Sequence, residues 1–130
     1  VANDLSLVVE FTEMVPDTAP YLIRTDVLTG AGYALIEGLV RGCVGIGLCF
    51  CGCFRAITPD RLSAAIAVNF GDHCPRPLPA DPAHIAAALQ EAIALCGTPF
   101  AQETTNRCRR IFDPTRIAQN LLQCWEEALG

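Results

Sequence analysis

Apolar positions recur along this chain with two periods, and those periods divide it into elements. Leu5, Leu7, Val9 and Phe11 alternate with Ser6, Val8, Glu10 and Thr12, the period of a half-buried strand. Over 26–41, Leu28, Ala31, Leu35 and Leu39 recur at helical spacing and predict a helix, weakened inside by Gly30, Gly32 and Gly38. The stretch 44–57 is almost wholly apolar and reads as a central strand buried on both faces. Cys49, Cys51 and Cys53 would line one side of it, with Leu48, Phe50 and Phe54 on the other. Residues 105–112 suggest a third strand whose arginines guard an exposed edge. A short strand is expected near 69–74, followed by a proline-rich loop over 73–80 pinned by Cys74.

One start signal appears three times. Thr58-Pro59-Asp60-Arg61-Leu62, Asp81-Pro82-Ala83-His84-Ile85 and Asp113-Pro114-Thr115-Arg116-Ile117 each place a capping side chain before a proline, then a basic and a branched apolar residue. The cap accepts from an orphan amide, and proline suits the first helical position because its missing N–H would be unpaired there. Helices are therefore predicted at 59–69, 82–96 and 114–129, with Gly97 stopping the second. In the second, Ile85, Leu89, Ala92 and Cys96 would face inward. In the last, Ile117, Leu121, Cys124, Trp125 and Ala128 form one stripe, opposite Arg116, Gln119, Asn120, Gln123, Glu126 and Glu127. The sum is an α+β domain over 1–130, with about four helices packed on a disulfide-stapled antiparallel sheet.

The staples come from eight cysteines in 130 residues: Cys43, Cys49, Cys51, Cys53, Cys74, Cys96, Cys108 and Cys124. An even, dense set reads as a disulfide framework in an oxidising compartment, and the sequence leaves its pairing open. Cysteines at i, i+2 and i+4 of one strand are too far apart to pair with each other, so each is expected to bond outward, with Cys96 and Cys124 as partners. Metal is disfavoured, because structural zinc sites use C-x₂₋₄-C pairs and these close pairs are C-x-C. Val1 in place of Met fits a mature secreted product.

Charge narrows the partners. A net charge of −5 argues against nucleic acid, whose binding depends on neutralising phosphate. All nine basic residues are arginine; a GC-rich genome accounts for that, and so would selection against ubiquitination. Arg107, Arg109 and Arg110 form the one dense basic patch, a candidate for holding an acidic partner or anionic headgroup. Glu10, Glu13 and Asp17 read as a solvated edge. The uncharged run 42–54 is too short to span a bilayer as a helix, which needs about 20 residues. Gly38, just before it, and Gly42, at its start, have the spacing that lets helices approach closely.

Catalytic signatures are missing. There is no Gly-x-Ser-x-Gly elbow, His-Glu-x-x-His helix or phosphate-binding Gly-rich loop. His84 is expected to face solvent, and the Asp72–His73 pair lacks the calcium loop of the phospholipases that use one. No cofactor, metal or catalytic residue is therefore expected.

Plant lipid-transfer proteins and hydrophobins carry adjacent cysteines, and this chain has none. Cys51-Gly52-Cys53, the helix from Pro59, Cys74 and Cys96, with Cys108 beyond, follow another order. In that order the chain resembles the α/β-sandwich killer toxins of smut fungi and the plant-pathogen effectors that share their fold. The resemblance covers 43–110 and implies a secreted, non-enzymatic protein that binds a target-cell protein or membrane component. Carriage of a small apolar ligand in a cavity is the alternative, and a hydrolase using His73 and Asp72 a third; either a homo- or hetero-oligomer is compatible.

Overall fold

The computed structural model describes residues 14–48, 53–73 and 81–130. Its elements run α1 (Ala19–Leu22), β1 (Val27–Thr29), α2 (Gly32–Arg41), β2 (Val44–Leu48), β3 (Phe54–Ala56), α3 (Leu62–Ala67), a 3₁₀ turn (Asn69–Gly71), α4 (Pro82–Leu95), α5 (Pro99–Ile111) and α6 (Pro114–Leu129). The fold is α+β, as the periodicity implies. The strand expected at 5–11 and most of the proline-rich loop lie outside the described residues.

The sheet is mixed and not antiparallel throughout. Its order is β1-β2-β3. β1 and β2 run parallel, with Val27 opposite Val44 and Thr29 opposite Ile46, and α2 forms the crossover between them. β2 and β3 are antiparallel, with Leu48 opposite Phe54. The run read as one strand over 44–57 is thus two, and the chain reverses between Leu48 and Phe54. Cys53 precedes β3, while Cys49 and Cys51 lie outside the described residues.

β2 explains the layering. Val44 and Ile46 face α4, where they pack with Ala56, Ala88 and Ala92. On the opposite face Gly45 and Gly47 leave room for α2. A Cβ on Gly47 would stand 2.8 Å from Leu35 Cδ2 and 3.2 Å from the Phe70 carbonyl, and one on Gly45 would stand 2.9 Å from Leu39 Cδ2. The larger core lies on that glycine face and joins Leu35, Leu39, Ile57, Leu62, Ala65, Phe70 and Cys108. Helices therefore cover the sheet on both sides.

Two predicted strands take other forms. Residues 105–112 belong to α5, because Thr98-Pro99 is a fourth copy of the cap-proline start, with Thr98 Oγ1 accepting from Ala101 N at 3.2 Å. Ala101, Thr104, Thr105, Cys108 and Phe112 then share one helical face, with Thr104, Thr105 and Cys108 buried. Residues 69–71 form the 3₁₀ turn, with Asn69 and Phe70 at φ 47° and 55°. That left-handed backbone turns Phe70 into the core, where its ring stands 6.2 Å from that of Phe112.

The remaining helices differ from expectation more in phase and extent than in existence. The front of the segment 26–41 is β1, and α2 begins at Gly32, whose φ of +55° ends the extended chain. α3 begins at Leu62, later than its proline suggests, after a turn at Thr58–Arg61. α4 and α6 have the expected capping: Asp81 and Asp113 carboxylates accept from Ala83 N at 2.9 Å and Thr115 N at 3.0 Å. Gly97 ends the α4 region at φ +73°. α4 buries Ala88 and Ala92, leaving Ile85, Leu89 and Ile93 on the outside. Small side chains let it sit close on the sheet.

Candidate interaction surface

The arginine patch is now part of a helix and is largely engaged at home. Arg107 Nε donates to Glu103 Oε1 at 2.7 Å, and its Nη1 donates to the Pro59 carbonyl at 3.3 Å. Arg110 lies 3.7 Å from the same carboxylate. Arg109 Nε donates to the Val40 carbonyl at 2.7 Å, tying α5 to the end of α2. The Arg107 guanidinium beside Glu103 holds that carboxyl below its usual range. What remains is a shallow recess of about 380 Å³ between Ser63, Arg107, Arg110 and Arg116.

The more conspicuous surface is α6. Its sequence stripe forms as predicted, but nothing among the described residues covers it. No residue of α6 is buried; Trp125 is 70% exposed, Leu121 and Leu122 each 59%, and Leu129 86%. Cys124, expected to tether this helix to the sheet, is exposed. A single sixteen-residue helix without tertiary burial is marginal in water, and a contiguous apolar stripe this exposed is unusual on a protein surface.

A second cluster joins residues far apart in the sequence. Glu91, on α4, sits between two arginines, 2.6 Å from Arg61 Nη1 and 3.5 Å from Arg55 Nε. Arg61 Nη1 also donates to the Ala56 carbonyl at 3.1 Å. Burial alone would raise the Glu91 pKa, but hydrogen bonds from Arg61 and Arg55 outweigh it and the net shift is downward. The cluster clamps α4 onto β3, and the lone acid inside an alanine-rich helix was its sequence signal. Beside it an open recess of about 400 Å³ is lined by Phe54, Arg55, His84, Ala87 and Glu91.

The residues singled out for hydrolysis show no working arrangement. His73 is exposed, and Asp72 accepts from Asn69 Nδ2 at 3.0 Å. His84 is exposed in the first turn of α4, 3.9 Å from Asp81. Among the described residues no group of three His, Cys, Asp or Glu could hold a metal ion, and no helix is long and apolar enough to cross a membrane.

Cys43, Cys96, Cys108 and Cys124 are thiols in this structure, and Cys49 and Cys51, toward which staples from Cys96 and Cys124 are expected, lie outside the described residues. Cys108 lies wholly inside the core, and burial pushes its pKa up to about 11. Cys74 lies outside the described residues.

No family model matches this chain, and neither a curated protein nor a solved structure matches it.

Proposed function

We propose that the protein is a secreted, non-enzymatic binding protein of the effector or killer-toxin kind, which grips a target-cell protein with the apolar face of α6. The observation that supports this is the uncovered stripe of Ile117, Leu121, Leu122, Trp125 and Leu129 on a well-capped helix. Such a face fits the helix-in-groove mode, in which anchors at i, i+4 and i+8 enter an apolar cleft. A large aromatic at its centre is the usual energetic anchor of a protein contact.

The charge of α6 favours protein over membrane. Helices that lie in anionic bilayers carry Lys or Arg on the polar face. Here that face holds Gln119, Asn120, Gln123, Glu126 and Glu127, with Arg116 as its one cation, on a chain of net charge −5. The carrier reading draws less support. Among the described residues, the apolar recess between Thr29, Ile46, Phe54, Ile85 and Leu89 holds about 220 Å³, below the roughly 300–1,000 Å³ usual for ligand sites, and the larger recess beside Glu91, about 400 Å³, is open to solvent.

The test uses fluorescently labelled protein on fungal and plant cells, and on vesicles of phosphatidylcholine and phosphatidylserine. Saturable, protease-sensitive binding to cells that falls at least tenfold in Leu121→Glu/Trp125→Glu, with an unchanged far-UV spectrum, is expected. Undiminished cell binding by that variant would remove α6 as the contact. Comparable binding to bare vesicles would replace the protein target with a lipid one.

A further inference from the structure

We infer that Cys43 and Cys96 are a disulfide pair, which a small-molecule disulfide closes to tie the end of α4 to the start of β2. The two thiols converge on one short backbone segment. Cys43 Sγ donates to the Thr25 carbonyl at 3.1 Å and approaches the Leu22 carbonyl at 3.6 Å. Cys96 Sγ stands 3.9 Å from the next carbonyl, that of Asp26. The same Asp26 carbonyl accepts from Val44 N at 2.8 Å. The Cys96 sulfur thus lies one carbonyl away from the backbone of Cys43's own neighbour.

Electrostatics agrees with that proximity. Burial is the main reason the Cys43 thiol is raised, and Asp26 and Cys96 act in the same direction. The backbone on the Cys96 side is also adjustable. Cys96 is the residue at which α4 leaves helical geometry, with ψ 129°, and Gly97 follows at φ +73°. Its present contacts are S–H···O bonds to Ala92 at 3.4 Å and to Asp26, both weak. Among the described residues, Cys108 is sealed in the core on the opposite side of the sheet and Cys124 stands on exposed α6, so neither is placed to reach Cys43 or Cys96.

The chemistry is two exchanges. The Cys96 thiolate, on the less buried residue, attacks a disulfide of the glutathione class and releases one small thiolate, leaving a mixed disulfide on Cys96. The Cys43 thiolate then attacks the Cys96 sulfur and releases the second. Two protein thiols lose two protons and two electrons, and one small disulfide becomes two thiols. The bond closes a long loop across two layers of the fold, so its effect on the unfolded chain is large. The inference does not depend on the role proposed for α6.

The test equilibrates the full chain in oxidised and reduced glutathione, traps it with N-ethylmaleimide, and maps chymotryptic fragments without reduction. Cleavage after Leu48, Leu95 and Phe100 separates Cys43 and Cys96 from every other cysteine. A cross-link between the fragments ending at Leu48 and beginning at Cys96 is expected, with a thermal midpoint roughly 10 °C above the reduced form. Cys96→Ser should abolish both the cross-link and the rise, while its reduced form melts with the wild type. Both residues alkylated under oxidising conditions, or either joined to a different cysteine, would overturn the pairing.

Discussion

Truncating Trp125 separates two descriptions of α6. The amphipathic stripe by itself suggests a helix laid on the body of the protein, with Trp125 in the interface. Replacing a buried tryptophan by alanine costs about 3–5 kcal/mol, from lost burial and the cavity left behind. In the structure the side chain is 70% exposed. Little burial is lost, and alanine is the better helix former by about half a kcal/mol. Trp125→Ala should therefore lie within about 0.5 kcal/mol of the wild type, a midpoint shift of roughly 2 °C at this chain length. Guanidinium unfolding followed by far-UV circular dichroism at low micromolar concentration reads this directly. A loss of 3 kcal/mol or more would show that the helix is docked in solution, and would remove the free surface on which the binding role depends.

Other predictions concern the scaffold. Gly47→Ala puts a methyl 2.8 Å from Leu35 Cδ2 and 3.2 Å from a backbone carbonyl, and Leu35 is fully buried; a loss of about 1–3 kcal/mol is expected in the same unfolding assay. An unchanged midpoint would mean that α2 does not ride this closely on β2. The Glu91 clamp makes stability depend on pH. Its folded pKa is depressed, so its contribution is present above the unfolded glutamate value near 4.5 and is lost as pH falls through the folded value. Glu91→Gln should flatten the acid limb of the stability curve and lower stability at pH 7; an acid limb identical to the wild type would refute the clamp.

The legible parts of this fold were those set by local chemistry. Asp81-Pro82 and Asp113-Pro114 start their helices where capping requires, and α6 runs over the predicted residues. The same signal at Thr98-Pro99 could have found α5. It was obscured by alternating arginines in 105–112, which imitate a strand while the helical face is carried by threonines and a cysteine. Pairing was beyond local reading. A parallel partner for β2 needs a crossover, and the segment supplying it reads as one long helix because Leu28, Ala31, Leu35 and Leu39 keep helical spacing across β1 and α2. The apolar run 44–57 gave no clue to its reversal, since both β2 and β3 are largely apolar. The stripe on α6 was legible as a stripe, but amphipathicity cannot say whether the surface it faces belongs to the same chain. The arginines of the candidate patch were visible in the sequence. Their ties to Glu103, Pro59 and Val40 depend on a helix where the sequence pattern predicts a strand.

The placement of aromatic residues has a spectroscopic consequence. The single tryptophan and both tyrosines, Tyr21 and Tyr33, are at least half exposed, while among the described residues the buried Phe70 packs against the half-buried Phe112. Near-ultraviolet dichroism and intrinsic emission thus report on the periphery. A fully packed sample should give a weak near-ultraviolet signal and solvent-like emission, the optical profile ordinarily assigned to a molten globule. Amide exchange at α2 and β2 would distinguish the two states, and a change in tryptophan emission on mixing with another protein would mark occupation of α6, leaving the core unreported.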